Sequence, residues 1–234
     1  MKYLGSKNRI AKYILPIMLE YREEGMVWVE PFVGGANMID KVEGKRLGSD
    51  LNEYVISLLN QMSKPNFKAP KIDEEKYNDI KEYESQYPRW ITGYAGTQLS
   101  FGATWFGSYR RDNTGKRNYC LEAQRNVNNQ SKNLQGVEFV NYSYDELPIN
   151  TDNALIYCDP PYNTKATKGK YKDEFDHIMF WKWCREMSDR GHTVFVSEYN
   201  APNDFVCVWE KEISQRMNNN VKTKKTVEKL FIAP

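Results

Sequence analysis

Asp159-Pro160-Pro161-Tyr162 closes an apolar run, Ala154-Leu155-Ile156-Tyr157-Cys158, and opens a polar, lysine-dotted one. A short apolar run bounded by turn residues reads as a buried strand that stops at a loop. Two successive prolines hold φ near about −65° and donate no backbone hydrogen bond, so the chain leaving this strand is stiff. A carboxylate stands immediately before the stiff turn and an aromatic ring immediately after it, and the backbone carbonyls are left free to accept. Such a turn can grip a planar group bearing an exocyclic amine: the carboxylate and a carbonyl accept from the amine, and the ring stacks on the face. Alone, the same residues describe a strand ending in a capped proline turn.

A second stretch changes the balance. In Val29-Glu30-Pro31-Phe32-Val33-Gly34-Gly35-Ala36 a predicted strand, Met26 to Glu30, runs into a tight glycine turn. Glycines there let backbone approach a ligand closely. Glu30 falls at the carboxyl end of the strand, where open parallel sheets bind ligands. Arg46 to Asp50 reads as the next strand, with Asp50 at its end, the spacing at which a Rossmann-like fold places an acid on ribose hydroxyls. Asp50 has a rival role as cap of the predicted helix Asn52 to Met62. Val137 to Asn141 and Thr193 to Ser197 repeat the strand grammar, and Phe205 to Trp209, Ile213 to Met217 and Thr226 to Ile232 close it, with a turn expected at Asn218-Asn219-Asn220. Between them lie predicted helices. Ser6 can cap one with apolar positions Ile10, Ile14, Ile17, Met18 and Tyr21, kinked or restarted at Pro16. A short one begins in Asn37 to Val42. Asp176 to Ser188 carries the stripe Ile178, Trp181, Cys184 and Met187, with Trp181 expected in the core. The pattern is α/β.

With these residues on the page, the chain resembles the Dam-like N6-adenine DNA methyltransferases, of the Asp-Pro-Pro-Tyr type, over nearly its whole length. The anchors are Tyr3-Leu4-Gly5-Ser6-Lys7, Phe32 to Gly35, Asp50 and Asp159 to Tyr162. The resemblance implies a Rossmann-like sheet with helices on both faces and a small inserted DNA-recognition region. It assigns residues 1–62 and 137–234 to an S-adenosylmethionine-binding catalytic domain and 63–136 to target recognition. It implies cofactor contacts from Tyr3, Lys7, Glu30, Phe32, Gly34, Gly35, Asp50, Asn141, Tyr142 and Asp159. Catalysis would fall to Asp159, Pro160, Pro161 and Tyr162, with the target base flipped out of the duplex. Ala36 departs from the pattern, standing where many relatives carry a third glycine.

Residues 63–136 read differently from the rest. Pro65, Pro70 and Pro88 interrupt them, no buried parallel strand is evident, and Lys71 to Glu84 forms a charged surface helix. Arg89 to Lys132 holds seven Lys or Arg against two acids, interleaved with Trp90, Tyr94, Phe101, Trp105, Phe106 and Tyr109. Basic residues among stacking rings suit a nucleic-acid surface, though some of these rings belong to a small core in any reading. Phe106 to Gly115 predicts a hairpin turning at Asn113-Thr114-Gly115. By resemblance it is the DNA-reading hairpin, with Arg110, Arg111, Lys116 and Arg117 at the DNA and Arg110 facing guanine. Phe106 and Arg117-Asn118-Tyr119 depart from the family's residues there, so a GATC target does not carry over. Asn163 to Lys172 is a basic loop with a weaker DNA-contacting expectation. Six basic residues between Lys211 and Lys229 either meet phosphates or blunt an edge strand.

Composition bounds the rest. The 234 residues suffice for one α/β domain with a small inserted lobe, and a net charge of +2 confines any nucleic-acid surface to a local patch. There is no 18-residue apolar run, so no membrane span is expected. Cys120, Cys158, Cys184 and Cys207 lie far apart and read as free thiols in a reducing compartment. His177 and His192 are badly placed for zinc, and no metal is expected. The expected partner is double-stranded DNA, with no obligate protein partner evident, in the cytoplasm of a bacterium or a phage-infected host. N4-cytosine methylation, a catalytically silent DNA-binding protein and a nucleotide-linked oxidoreductase are the alternatives. The last lacks its Gly-x-Gly-x-x-Gly signature.

Overall fold

The computed structural model describes residues 1–112, 114–162, 175–215 and 224–234. Asn113, the loop 163–172 and the turn 218–220 lie outside them. The strands are β1 (Val27–Glu30), β2 (Arg46–Ser49), β3 (Val137–Val140), β4 (Ala154–Cys158), β5 (Thr193–Glu198), β6 (Val206–Gln215) and β7 (Lys224–Ile232). They form one sheet in the order β3-β2-β1-β4-β5-β7-β6. β1 to β5 are mutually parallel, and β7 runs antiparallel to both β5 and β6. The order reverses between β2 and β4, on either side of β1, which is where an open α/β sheet forms its ligand crevice.

Alternation along the strands sends side chains to two cores. Trp28, Leu155, Tyr157, Phe195 and Leu230 face one layer, with Ile10, Ala11, Ile14 and Met18. Those four come from or abut α1 (Ala11–Glu20), and the same layer takes in α2 (Glu53–Met62). Val29, Ile156, Cys158, Val194, Val196 and Phe231 face the other. That face is covered by α6 (His177–Asp189), once α3 (Glu74–Glu82), α4 (Arg89–Gln98) and α5 (Tyr119–Ser131) have intervened along the chain. Helices on both faces of a largely parallel sheet give the Rossmann-like architecture.

Local chemistry sets several boundaries differently from the expectations. Ser6 caps a 3₁₀ turn, Lys7–Arg9, and α1 then begins at Ala11. Pro16 does not restart it, and α1 runs on to Glu20: Pro16 and Lys12, whose carbonyl loses its donor, both lie on the exposed side. Asn37 to Val42 yields only a 3₁₀ turn, Ile39–Lys41. Asn52, not Asp50, caps α2, accepting from the Tyr54 and Val55 amides. The two separate strands expected between Phe205 and Met217 are one strand, β6, with a register shift at Cys207/Trp209.

Residues 63–136 hold α3, α4 and α5 and, among the described residues, no strand. Tyr77 and Ile80 of α3 are buried, so this helix has an inner face as well as a charged one. Among the described residues the expected hairpin, Phe106 to Gly115, forms no strand pair of its own: Tyr109 makes an antiparallel bridge with Ser100, outside it, and a turn built on Asp112 follows, accepting from the Thr114 and Arg117 amides. Of the interleaved rings, Tyr94 and Phe106 are core, whereas Phe101 and Trp105 are exposed. No described helix is long and apolar enough to cross a membrane.

Candidate active site

The carboxyl ends of β1, β2, β3 and β4 bring the two motifs together. The Gly34 amide donates to Asp50 Oδ2 at 2.9 Å, and Asp50 Oδ1 accepts from the Asn52 amide. Asp50 thus ties the glycine turn to the loop after β2. Asn141 Nδ2 donates to the Asp50 carbonyl at 2.7 Å, and Ser49 Oγ exchanges hydrogen bonds with the Tyr142 backbone. Three strand ends are therefore laced by side-chain-to-backbone bonds, which holds irregular backbone in one shape.

The glycine turn is close-packed. Gly34 has φ +45°, and a Cβ there would come within 2.6 Å of the Tyr3 ring. A Cβ on Gly35 would meet Tyr3 Cβ and Asn37 Nδ2, each at 2.6 Å. Tyr3 lies across the turn, so both glycines are required for its approach. Ala36 has φ +54°, the left-handed region, where a Cβ carries a steric cost of about 1 kcal/mol. Ala36 is thus strained where a glycine would not be.

Aromatic packing backs the turn. Phe32 stacks on Tyr144 at 5.4 Å and meets Phe175 and Phe180 edge-on. Glu30 is buried, and its Oε1 accepts the Trp28 indole at 2.8 Å. Burial pushes its carboxyl well above the ordinary value, against the pull of that bond.

At the end of β4, Asp159 Oδ1 lies 2.8 Å from Lys7 Nζ, which also donates to the Gly5 carbonyl at 3.1 Å and sits 4.4 Å from the Tyr162 ring centroid. Lys7 is 9% exposed, so it is not a solvated first-turn lysine. Burial raises the Asp159 pKa, and Lys7 opposes that shift. Burial works against the Lys7 charge, but Asp159 and Glu228 outweigh it and its pKa is raised. The Tyr162 ring is edge-on to Tyr199 at 4.7 Å, and its hydroxyl donates to Glu228 Oε2 at 2.7 Å. Sequence reasoning missed Glu228. The available signal was a carboxylate in phase with Leu230 on the apolar side of a strand.

Two basic residues of 63–136 gather with Lys2 around one ring. Arg110 and Arg117 stand 4.4 and 4.8 Å from the Tyr119 centroid, with Lys2 at 5.9 Å. Burial, with Arg117 adding to it, lowers the Arg110 pKa. Arg117 is bidentate on Glu122, Arg111 is paired with Glu74, and Lys116 is exposed. A separate cleft of about 550 Å³ lies between α6 and the loop after β3, lined by Tyr144, Trp183 and His192 among others, and none of the expected site residues reaches it. Among the described residues no group of His, Cys, Asp and Glu is arranged to hold a metal ion.

The arrangement offers a carboxylate, a proline carbonyl and a ring on one stiff turn, beside a glycine turn with an acid at the next strand end. No curated protein matches the sequence. Among solved structures, that of SMU.472 complexed with SAH aligns over 97% of this chain at 12% identity and a TM-score of 0.39, and the chain spans 52% of its length. The family model of the D12 class N6 adenine-specific DNA methyltransferases matches residues 3–91 and 91–228, almost the whole chain, and the protein belongs to that family.

Proposed function

We propose that the protein transfers a methyl group from S-adenosylmethionine to N6 of adenine in double-stranded DNA. The observation that carries this reading is the Asp159-to-Tyr162 turn, with carboxylate and ring on one strand end next to the Gly34–Asp50 tie. Family membership supports the same reaction.

The strand-end residues fit the cofactor. The Gly34-Gly35 backbone tolerates no Cβ. Asp50 spends one lone pair of each oxygen on Gly34 and Asn52 and keeps others for ribose hydroxyls. Phe32 precedes the same turn and Tyr3 lies across it, Asn141 and Tyr142 are tied to Asp50 and Ser49 at the neighbouring strand ends, Glu30 ends β1, and Lys7 sits on Asp159. When bound, S-adenosylmethionine supplies a methyl carbon activated by its positively charged sulfur. The rest falls to the chain. Asp159, ionised, and the Pro160 carbonyl accept the two amine hydrogens, which draws the nitrogen lone pair out of conjugation with the base. Tyr162 stacks on the base, and Pro161 keeps ring and carboxylate in fixed relation. The base is inaccessible within a duplex and is flipped out, at a cost of a few kcal/mol offset by stacking and edge contacts. Orientation and charge placement supply most of the acceleration.

In this reading residues 1–62 and 137–234 carry catalysis and 63–136 carry target recognition. Arg110, Arg111, Lys116 and Arg117 meet the DNA, and the enzyme works in the cytoplasm. Incubating unmethylated DNA with the protein and S-adenosylmethionine, followed by nucleoside mass spectrometry, tests it. N6-methyladenine is the expected product. N4-methylcytosine would change the base, and no modified nucleoside would sink the reading.

A further inference from the structure

β7 brings to the site a carboxylate that the strand-end pattern does not supply. Glu228 is 5% exposed and lies in phase with Leu230, on the sheet face that also carries Tyr157. Leucine would suit that face, because a buried carboxylate is costly unless hydrogen-bonded or paired. Its bond comes from the Tyr162 hydroxyl, 66 residues away along the chain, at 2.7 Å. The Tyr162 ring also meets the Tyr199 ring in a T-shaped contact, and the Lys7 ammonium lies over its face. The hydroxyl bond fixes the far tip of the side chain, as Pro160 and Pro161 stiffen the backbone that carries it.

We propose that Glu228 is a positioning residue for Tyr162, holding the phenol so that the ring presents a single plane to the extruded base. This rests on the methyltransferase reading above. Glu228 does not touch the base; it acts through the Tyr162 hydroxyl. Lys7 belongs to the same arrangement, since Asp159 and Glu228 both favour its charge.

The test compares kcat, KM and thermal unfolding for wild type, Glu228→Gln, Glu228→Ala, Tyr162→Phe and the Glu228→Ala/Tyr162→Phe double variant. Glu228→Ala should lower kcat by roughly ten- to a hundredfold, the scale of a misplaced reacting group, with little change in the KM for S-adenosylmethionine. Glu228→Gln should recover most of that loss, because its amide oxygen still accepts the bond. Tyr162→Phe should lose about as much as Glu228→Ala, and the double variant no more than the worse single one. Multiplied losses in the double variant, or a Gln variant as poor as Ala, would overturn the positioning role. Should Glu228→Ala not fold, Glu228→Gln near wild type alongside an impaired Tyr162→Phe supports the role, and any other ranking of those two overturns it. A wild type that transfers no methyl group fails the methyltransferase reading, and the positioning role with it. With an active wild type, only the role is at stake.

Discussion

Lys7 Nζ and Asp159 Oδ1 form a 2.8 Å ion pair in which the lysine is 9% and the aspartate 22% exposed. Removing one member of a buried pair leaves the other's charge uncompensated, which costs about 3 kcal/mol or more. Asp159→Ala should therefore lose about that much stability in urea unfolding as well as all turnover. Binding of S-adenosylmethionine should survive where the protein remains folded. An Asp159→Ala protein that still methylates DNA would refute the catalytic assignment.

The same pair sets a pH dependence. Asp159 is raised by burial and held down by Lys7, and it must be ionised to accept the amine. Lys7→Met removes the opposing charge, so the Asp159 pKa climbs further. The acid limb of the kcat profile should move to higher pH, and activity at the alkaline plateau should fall less than activity at neutral pH. A profile that moves to lower pH would contradict the pairing.

Glu30 makes a stability prediction of the opposite kind from an ordinary surface carboxylate. Burial lifts its pKa well above 4.5, so the folded protein holds this proton more tightly than the unfolded chain does. The stability it contributes is complete below the unfolded pKa and is lost as pH climbs through the folded one. Glu30→Gln keeps an acceptor for the Trp28 indole and has no proton to lose. Its stability relative to wild type should rise as urea unfolding is repeated from about pH 5 towards about pH 9. A difference that is flat over that range would mean Glu30 is not held protonated.

How much of the site could be read in advance depends on where its partners sit in the chain. β4 was legible because five buried residues in a row lead into an abrupt polar turn. The Gly34 turn and Asp50 were legible because their spacing is that of one strand–turn–strand unit. Glu228 was not, because Tyr162 becomes its neighbour only when β7 inserts between β5 and β6. α6 shows a different limit. Its sequence carries apolar residues on more than one side, so periodicity admits two stripes. The sheet selects Phe180, Trp183, Cys184 and Met187, leaving Ile178 83% exposed and Trp181 half-buried against Phe205.

That choice of stripe is measurable. Phe180 is fully buried against Phe32, Tyr144 and Trp183. Phe180→Ala should cost about 3–5 kcal/mol and weaken cofactor binding by loosening the floor under Phe32. Ile178→Ala should change stability by less than about 0.5 kcal/mol, as expected of an exposed position. Equal losses would restore the stripe through Ile178.

Arg110 and Arg111 are adjacent in the chain but differ in what they can give to DNA. Arg111 is engaged through two of its three guanidinium nitrogens by Glu74, so a phosphate must compete with a carboxylate for them. Arg110 rests on the Tyr119 ring beside Arg117 and Lys2, and Glu122, which offsets part of their repulsion, is held by Arg117. Arg110→Ala should weaken DNA binding and reduce the slope of log affinity against log salt by about 1, the signature of one lost phosphate contact. If Arg110 instead reads a base edge, the slope should hold while discrimination between sequences falls by about 1–3 kcal/mol. Arg111→Ala should do less than Arg110→Ala, and Glu74→Gln should tighten DNA binding by freeing Arg111. A Glu74→Gln protein that binds DNA more weakly would show that the Glu74–Arg111 pair holds this surface in shape instead of competing with the DNA.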